Sequence, residues 1–285
     1  MLPRIDSEIF RTKNGTPYLK APGVVGISQP STDLSGLATF LGDLGYDKYL
    51  EDPMPSPGTS LCKLAGQLCY MSFGDKRTKN SEAQKYIRNI LESKHGSVLE
   101  HANYTLLLYG VSRSLTHELV RHRAGFAYSQ VSQRYVGEES LRFVERPEYQ
   151  NNPEFHEAFE QRIDQIRSEY IRLTNNLVQL QKEKMPELSI EEEQKQSDKI
   201  KRCRQVARSI LPNETEAPIV VTANVRAWRH FLEMRGSLHA ESEMRILANR
   251  AWQVLKQMDP ILFHDISARQ LTDGTDALEI LHSKV

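Results

Sequence analysis

The sequence predicts a mixed α/β protein, with an α+β arrangement, that forms one domain and carries a long helical excursion. Two observations predict this class. Short runs of β-forming residues alternate with amphipathic helical patterns along most of the chain. At about 150–200, in contrast, apolar side chains recur every three or four positions. Because no repeat or linker divides the sequence, we predict a single domain over residues 1–285, with its core at about 20–250.

The first third of the chain is predicted to begin irregularly and then become helical. Glycine and proline punctuate residues 1–58, which favours turns and loops there. An apolar patch and a short helix interrupt this segment, at Val24, Val25 and Ile27 and around Leu37–Leu44. A buried helix is expected at Ser60–Ser72. The next helix should begin at Ser81, because Gln84 three residues later completes a capping box.

Strand and helix patterns alternate in the rest of the chain. The predicted strands are Ala102–Gly110, Leu141–Val144 and Thr215–Thr222. The predicted helices are 111–123, a long pair at about 150–200, Val225–Met234 and Glu241–Met258. Within the long pair, an apolar stripe marks the first helix, and Ser189 with Glu192 marks the start of the second.

The segment Glu118–Val136, ELVRHRAGFAYSQVSQRYV, concentrates polar side chains that a packing segment would not need. A cationic triplet, RHR, closes an amphipathic helix. Small residues follow, and hydroxyl, amide and guanidinium groups then appear on an extended stretch. Arginine offers a planar fork of donors and serine a short, adaptable one, which suits phosphate recognition. The segment therefore predicts a site for an anionic or heterocyclic ligand.

Bulk properties exclude several classes of protein. The chain has 37 basic and 37 acidic residues, and this balance argues against binding nucleic acid by bulk electrostatics. The N-terminus has no apolar signal core, and no window approaches the roughly 18 apolar residues of a membrane span. The three cysteines form no CxxC pair, and Cys62 and Cys69 are expected to be core residues on one helix face. We predict a cytoplasmic protein that binds neither nucleic acid nor membrane.

Common cofactor and metal motifs are missing from the sequence. There is no dinucleotide-binding glycine fingerprint, phosphate-binding loop or nucleophile elbow. HELVRH places His117 and His122 five residues apart, which turns the second imidazole away from the first, so no metal site is predicted. HGSVLEH leaves two interpretations open. Ser97 could donate to a phosphate or sugar, and Gly96 could cap a helix in the left-handed conformation.

A second concentration of polar groups lies between residues 204 and 245. Arg208 precedes SILP, and Asn224 and Arg226 follow the TEAPIVVT strand. Arg235 lies in FLEMRGSLHAE. Because ligand groups often gather at strand ends, Asn224 and Arg226 are candidate site residues.

Together these blocks resemble the flavin-dependent thymidylate synthase family. The signature is RHR, a short spacer and S-x-R-Y, here Arg121–Arg123 and Ser132–Tyr135. Supporting blocks are HGSVLEH, SRSLTHELVRHR, ARSILP and TANVRAWRHFLEMRGSLHAE, in the family's order. The chain departs from the commonest pattern in one respect, because its spacer, AGFAYSQV, has one residue more than usual.

The resemblance implies a homotetramer with active sites where subunits meet, using FAD, NADPH and methylenetetrahydrofolate to methylate dUMP at C5. Cofactor-binding residues would be His95, Ser97, Arg121, His122, Arg123, Gln130, Asn224, Arg226 and His230. Substrate-binding residues would be Glu118, Arg121, Gln130, Ser132, Gln133, Arg134, Arg208 and Arg235. Arg235 would also be catalytic, by stabilising negative charge at the N3/O2 edge of the uracil.

Three alternatives remain open at the level of sequence. The same flavin chemistry could act on another pyrimidine nucleotide such as UMP. The Arg/His/Tyr clusters could instead stack RNA bases, although the neutral net charge counts against a nucleic-acid-binding module. The long helical region alone would also suit a scaffold protein.

Overall fold

A computed structural model of the protein describes residues 1–33, 35–183 and 190–285, and their side chains except those of 182–198. The strands are β1 (Arg4–Ile5), β2 (Ile9–Arg11), β3 (Pro17–Leu19), β4 (Gly23–Ser28), β5 (Asn103–Tyr109), β6 (Phe126–Gln130), β7 (Phe143–Val144), β8 (Ile219–Asn224), β9 (Ile266–Gln270) and β10 (Asp276–Ile280). The helices are α1 (Ser35–Asp43), α2 (Pro57–Cys69), α3 (Ala83–Glu92), α4 (Arg113–Leu119), α5 (Pro147–Gln150), α6 (Pro153–Glu183), α7 (Ile190–Ala207), α8 (Val225–Arg235) and α9 (Ser242–Met258).

An antiparallel sheet organises the fold. Its five strands have the order β1-β4-β5-β8-β6, which places β6 at one edge. A small sheet, β2-β3-β7, contains the parallel pair β3–β7. The last two strands, β9 and β10, form an antiparallel hairpin.

Helices α8 and α9 pack in the main hydrophobic core with the sheet. Alternate residues of β5 and β8 are buried, which is the pattern of strands with one covered face. Tyr104 and Leu106 of β5 and Val221 of β8 share this core with Trp228 of α8. On the opposite face the hydroxyls of Thr105 and Thr222 are 2.9 Å apart, and both side chains are half-buried.

A second hydrophobic cluster joins the small sheet to the long helix α6. It contains Tyr18 and Phe143 from the strands and Phe159, Ile163 and Tyr170 from α6. The apolar stripe that predicted this helix therefore faces its own cluster. The predicted helix pair is present as α6 and α7, but Ser189, the predicted cap of the second helix, lies outside the described residues.

The predicted strands at 102–110, 141–144 and 215–222 are confirmed, as are the helices at 37–44, 60–72, 225–234 and 241–258, with shifted ends. The prediction that residues 1–58 are irregular is wrong, because four short strands form there. Glycine marks close packing in β4, since a Cβ on Gly23 would overlap the ring of Tyr109.

One further expectation needs correction, and one feature of the fold was not predicted. The capping box at Ser81 does not form, because a short 3-10 turn, Asn80–Glu82, precedes α3. The hairpin β9–β10 was not predicted, although its Ile266 and Leu278 belong to the main core. The main hydrophobic core thus includes residues after position 258.

Candidate active site

Helix α4 begins at a buried cap that fixes one wall of the site. The Ser112 hydroxyl oxygen accepts from the Leu115 backbone N–H at 3.0 Å. Ser112 also donates from its backbone N–H and its hydroxyl to the carboxylate of Glu243, at 2.7 Å each. Arg146 donates to the same carboxylate at 3.0 Å. These contacts anchor the start of the helix whose last turn carries Glu118.

The arginine–histidine–arginine triplet lies in the turn after α4. The helix ends at Leu119, so the expectation that the triplet closes it is wrong. The Tyr128 hydroxyl lies 3.0 Å from the carbonyl oxygen of Leu119 and 2.7 Å from that of His122, and it can donate to either. Gly125 has φ +75°, and a Cβ there would lie 2.7 Å from the Asn224 amide nitrogen. Tyr128 thus ties the turn to strand β6, and Gly125 allows the turn to approach the start of α8.

The guanidinium of Arg235 connects α8 to both α4 and the turn. Its Nη1 donates to Glu118 Oε2 at 2.9 Å, and its Nε donates to His122 Nε2 at 2.9 Å. Among the described residues, Nη2 has no hydrogen-bond partner. Two acceptors therefore fix the guanidinium, while further N–H donors are left for a ligand.

His122 is held in its neutral form. Its Nε2 accepts a hydrogen bond from Arg235, so this nitrogen carries no proton. The pKa of His122 is lowered to about 4, mainly by burial and in addition by the positive charges of Arg235 and His230. The imidazole also packs edge-on against Phe231, with ring centroids 5.5 Å apart.

A cavity of about 360 Å³ opens beside Arg235. It is lined by Arg121, His122, Arg123, Ala124, Phe126, His230, Met234 and Arg235. Arg121 and Arg123 are exposed, and neither forms an ion pair with a described residue. The cavity therefore offers unpaired guanidinium groups to an anionic ligand. Phe126 and Met234, which the sequence did not single out, give it an apolar side.

Two more cavities continue along the exposed face of α8. Arg226, His230 and Met234 follow one another at intervals of four residues, which places them on one face. Arg226 borders cavities of about 350 Å³ and about 20 Å³, and His230 borders the smaller of these and the cavity of Arg235. The helix rises about 13 Å between Arg226 and Arg235. The site is thus an elongated groove, called the α8 groove below.

The far end of the α8 groove contains the HGSVLEH segment. His95 and Ser97 are exposed and line the cavity of about 350 Å³. Of the two interpretations left open for this segment, the left-handed cap at Gly96 does not occur, and Lys94 takes that conformation with φ +56°. Gly96 instead permits a close approach, since a Cβ there would lie 2.6 Å from the carbonyl carbon of Val285.

Two residues at this end were not assigned to the site from the sequence. Cys69 and Tyr70 line the same cavity, at the end of α2. The expectation that Cys69 is a core residue is wrong: it is exposed, whereas Cys62 is fully buried. The seven-residue spacing places both on one face of α2, but the last turn of this helix extends beyond the core.

Arg226 and Asn224 already have partners within the chain. Arg226 donates from Nη1 to Glu100 at 2.6 Å and from Nε to the backbone oxygen of Val285 at 3.1 Å. Asn224 caps α8, because its side-chain oxygen accepts from the Ala227 N–H at 2.9 Å. An anionic ligand at Arg226 would therefore share this guanidinium with Glu100, and Asn224 would use its NH₂ group.

The other predicted site residues line none of the three cavities of the α8 groove. Gln130, at the end of β6, donates to the Thr116 hydroxyl at 3.2 Å. Gln133 lines a separate cavity of about 340 Å³. Arg134 is exposed beside the ring of Tyr135, whereas Ser132 and Arg208 are half-buried. The cavity of Arg235 is lined by none of these five residues: Gln130, Ser132, Gln133, Arg134 and Arg208.

Within the described ranges, no three histidine, cysteine, aspartate or glutamate side chains gather as metal ligands would. In the same part of the chain, no helix combines the length and the apolar composition that crossing a membrane requires.

Comparison with known proteins identifies close relatives of the chain. Residues 51–261 match the family model described as thymidylate synthase complementing protein. A flavin-dependent thymidylate synthase from Corynebacterium diphtheriae is 38% identical over 242 residues, which cover 85% of this chain and 92% of that protein. Another flavin-dependent thymidylate synthase, from Mycolicibacterium gilvum, is 40% identical over 219 residues, which cover 77% of this chain and 84% of that protein.

A solved structure shares the fold. It is the crystal structure of the UMP/dUMP methylase PolB from Streptomyces cacaoi bound with 5-Br dUMP. The TM-score is 0.57 at 18% identity, with 86% of this chain and 94% of that chain covered. This likeness supports the predicted mixed α/β class. Since the family model spans both the triplet and Arg235, and relatives are 38–40% identical over most of their length, the chain belongs to the flavin-dependent thymidylate synthase family, as its motifs predicted.

Proposed function

We propose that the protein methylates dUMP at C5 to give dTMP, with methylenetetrahydrofolate as carbon donor, FAD as bound cofactor and NADPH as reductant. The observation that carries the proposal is the cationic cavity at Arg235, whose guanidinium is held by two acceptors with Nη2 unpaired among the described residues. The relatives named flavin-dependent thymidylate synthases support the activity and the flavin.

The α8 groove suits FAD in shape and in donor chemistry. A dinucleotide is long and carries two phosphates, and the groove joins three cavities that include the guanidinium groups of Arg121, Arg123 and Arg226. Residues proposed to hold FAD are His95, Ser97, Arg121, His122, Arg123, Gln130, Asn224, Arg226 and His230. When bound, the flavin would supply hydride chemistry, while the protein supplies orientation and electrostatics.

The proposed role of Arg235 is electrostatic. C5 of uracil is a weak nucleophile until negative charge accumulates in the ring. A guanidinium beside N3 and O2 stabilises that charge as it develops, and it needs no reorganisation if it is already oriented. Arg235 meets this condition because Glu118 and His122 hold it at 2.9 Å each.

The cysteines support a route that uses no protein thiol. None of the residues lining the cavity of Arg235 is a cysteine. Burial raises the pKa of Cys62 to about 12, and burial also raises the pKa of Cys203. Cys69 is exposed but lies at the other end of the α8 groove, beside His95. We propose that turnover depends on Arg235 and flavin chemistry, without thiol attack at C6.

We propose that the nucleotide is bound between two copies of the chain in a homotetramer. Ser132, Gln133, Arg134 and Arg208 are the proposed phosphate and sugar ligands, yet within one chain none of them lines the cavity of Arg235, and the first three follow strand β6. That strand of five residues spans about 16 Å. A second copy that presents its Ser132–Arg134 segment to the cavity of Arg235 would bring both groups onto one nucleotide.

A second candidate is the same chemistry on UMP. The solved relative is named a UMP/dUMP methylase, and its fold is shared. The two substrates differ only at the ribose 2′ position. Side-by-side turnover of dUMP and UMP distinguishes these candidates.

Flavin binding is the first test of the proposal. The purified protein should show flavin absorption or take up added FAD, and Arg123→Ala should weaken uptake. Glu169→Ala, which removes an exposed carboxylate paired with Arg172 on α6, is a control that should leave uptake unchanged. A colourless protein that does not bind added FAD would exclude the function.

A further inference from the structure

We propose that residues 282–285, which follow strand β10, form a strap across the α8 groove that gates the entry of FAD. The strap holds the groove closed at its middle, and its outer part must leave before a dinucleotide can occupy the full length. The inference rests on the proposed function and deepens it, because it assigns a regulatory contact to the proposed FAD site.

The strap lies on the exposed face of α8. The Arg226 side chain donates from Nε to the backbone oxygen of Val285 at 3.1 Å, and the Lys284 backbone N–H donates to the Glu233 carboxylate at 3.1 Å. Val285 also touches the HGSVLEH segment, since a Cβ on Gly96 would lie 2.6 Å from its carbonyl carbon. The strap therefore bridges the groove from α8 to the segment that carries Gly96.

The groove is narrowest where the strap crosses it. The cavity lined by His282, Lys284 and Val285 measures about 20 Å³, whereas the cavities on either side measure about 350 Å³ and about 360 Å³. A cavity of about 20 Å³ holds roughly one water molecule. A ligand that extends from His95 at one end to Arg235 at the other, as FAD is proposed to do, cannot pass this point while the strap is in place.

The base of the strap is firmly held. His282 donates from its backbone N–H to the Asp265 carboxylate at 3.2 Å, and its backbone oxygen accepts from Arg229 at 3.2 Å. Arg229 and Asp265 also form an ion pair, in which their side chains are 5% and 1% exposed. Because these partners are buried, we expect His282 to stay in place and to act as the hinge.

The outer part of the strap is held more weakly. Its partner Arg226 is 44% exposed, so water can replace this hydrogen bond. Lys284 adopts φ +53°, a left-handed backbone conformation that is strained for residues other than glycine. Release of residues 283–285 relieves this strain. The strap is therefore anchored at one end and displaceable at the other.

Arg226 is the group for which the strap and the ligand compete. Its guanidinium is proposed to hold FAD, yet Nε is occupied by the strap, and Nη1 donates to Glu100 at 2.6 Å. A phosphate that takes over the Nε donor releases Val285. Cofactor binding and strap opening are then linked, because FAD binds the open form and not the closed one.

FAD binding by a shortened protein that ends at His282 tests the inference. Without residues 283–285 the groove is always open, so the apparent affinity is no longer reduced by the closed fraction. Starting from flavin-free protein, we expect FAD association, followed by flavin fluorescence, to be about 10-fold faster than in the full-length chain, and the dissociation constant to fall by the same factor. Leu281→Ala, which changes an exposed side chain just before the strap, is the matched control and should leave both values unchanged.

Two full-length variants keep the test decisive if the shortened protein is unstable. Lys284→Gly and Lys284→Ala both remove the lysine side chain, but glycine adopts the left-handed backbone conformation without strain. The glycine variant should hold the strap closed more firmly, so FAD should associate about threefold more slowly with it than with the alanine variant. Equal rates, or a faster rate for the glycine variant, would overturn the inference.

The outcomes separate the inference from the function on which it rests. Equal FAD association rates for the full-length and shortened proteins would mean that the strap is no barrier. Weaker FAD binding by the shortened protein, at an unchanged melting temperature, would make the strap a part of the cofactor site. In both cases the inference is wrong and the proposed function stands. If neither protein binds FAD, the proposed function itself is excluded.

Discussion

Replacing Ser112 with alanine removes only one hydroxyl group, but it should lower the free energy of unfolding substantially. Ser112 is fully buried and makes three contacts that pin the start of α4. Alanine keeps the backbone N–H bond to Glu243 but loses the two contacts of the hydroxyl. One of these caps the helix, and the other donates to a buried carboxylate.

The expected decrease in the free energy of unfolding follows from the loss of these two hydrogen bonds. Removing a serine N-cap costs about 0.5–2 kcal/mol. Removing a hydrogen bond to a charged group costs about 1.5–3 kcal/mol. Because both act through one hydroxyl, we expect a total of about 3 kcal/mol. For a chain of this size each kcal/mol lowers the melting temperature by about 2 °C, so the expected decrease is about 6 °C.

Calorimetry or circular dichroism at one fixed protein concentration, without FAD or nucleotide, measures this change. Ser114→Ala is the matched control, because Ser114 lies on the same helix, is half-buried, and forms no side-chain hydrogen bond with a described residue. Its effect should stay within about 0.5 kcal/mol. If Ser112→Ala lowers the melting temperature no more than Ser114→Ala does, the role assigned to this cap is refuted.

Three more predictions concern the site. Arg235→Lys should lower kcat more than it weakens dUMP binding, because lysine keeps the charge but loses the planar fork; a rise in KM alone would assign Arg235 to ground-state binding. Changing all three cysteines to serine should preserve turnover per folded enzyme, with stability lost mainly at the buried Cys62 and Cys203; loss of turnover with intact flavin binding would contradict this. The lowered pKa of His122, about 4 against 6.5 when unperturbed, means that the unfolded chain binds a proton that the folded chain does not. The free energy of unfolding should therefore fall as pH decreases from 6.5 towards 4, and the fall should be smaller in His122→Gln than in the wild type. Equal pH dependence of unfolding in both proteins would argue against a neutral, buried His122.

Much of the secondary structure could be predicted because its signals are local. The apolar stripe of α6 and the β-rich run of β5 are patterns within one element. The strand β4 was missed because its glycines resemble turn signals. At Gly23 the true reason is the ring of Tyr109, which lies more than eighty positions further along the chain. Contacts of that kind cannot be found from periodicity.

The candidate site, too, could be predicted from the sequence only in part. The family motifs indicated which residues matter, but their pairing depends on distant parts of the chain. Arg235 meets Glu118 across 117 residues, and Arg226 meets Glu100 across 126. Neither ion pair has a local signal. Neither Arg134 nor Arg208 lines the cavity of Arg235, and the sequence patterns did not predict this separation.

Methyl transfer to dUMP, UMP and deoxyuridine, measured side by side with methylenetetrahydrofolate, NADPH and FAD, tests the central claim most directly. Each charge-assisted bond to the phosphate contributes about 1.5–3 kcal/mol, so losing several should reduce kcat/KM by orders of magnitude. We predict that dUMP is the best substrate, that deoxyuridine is very poor, and that Arg134→Ala erases most of this difference. Faster turnover of UMP would favour the second candidate. Efficient turnover of deoxyuridine, or no turnover of any of the three by flavin-loaded enzyme, would contradict the proposed site.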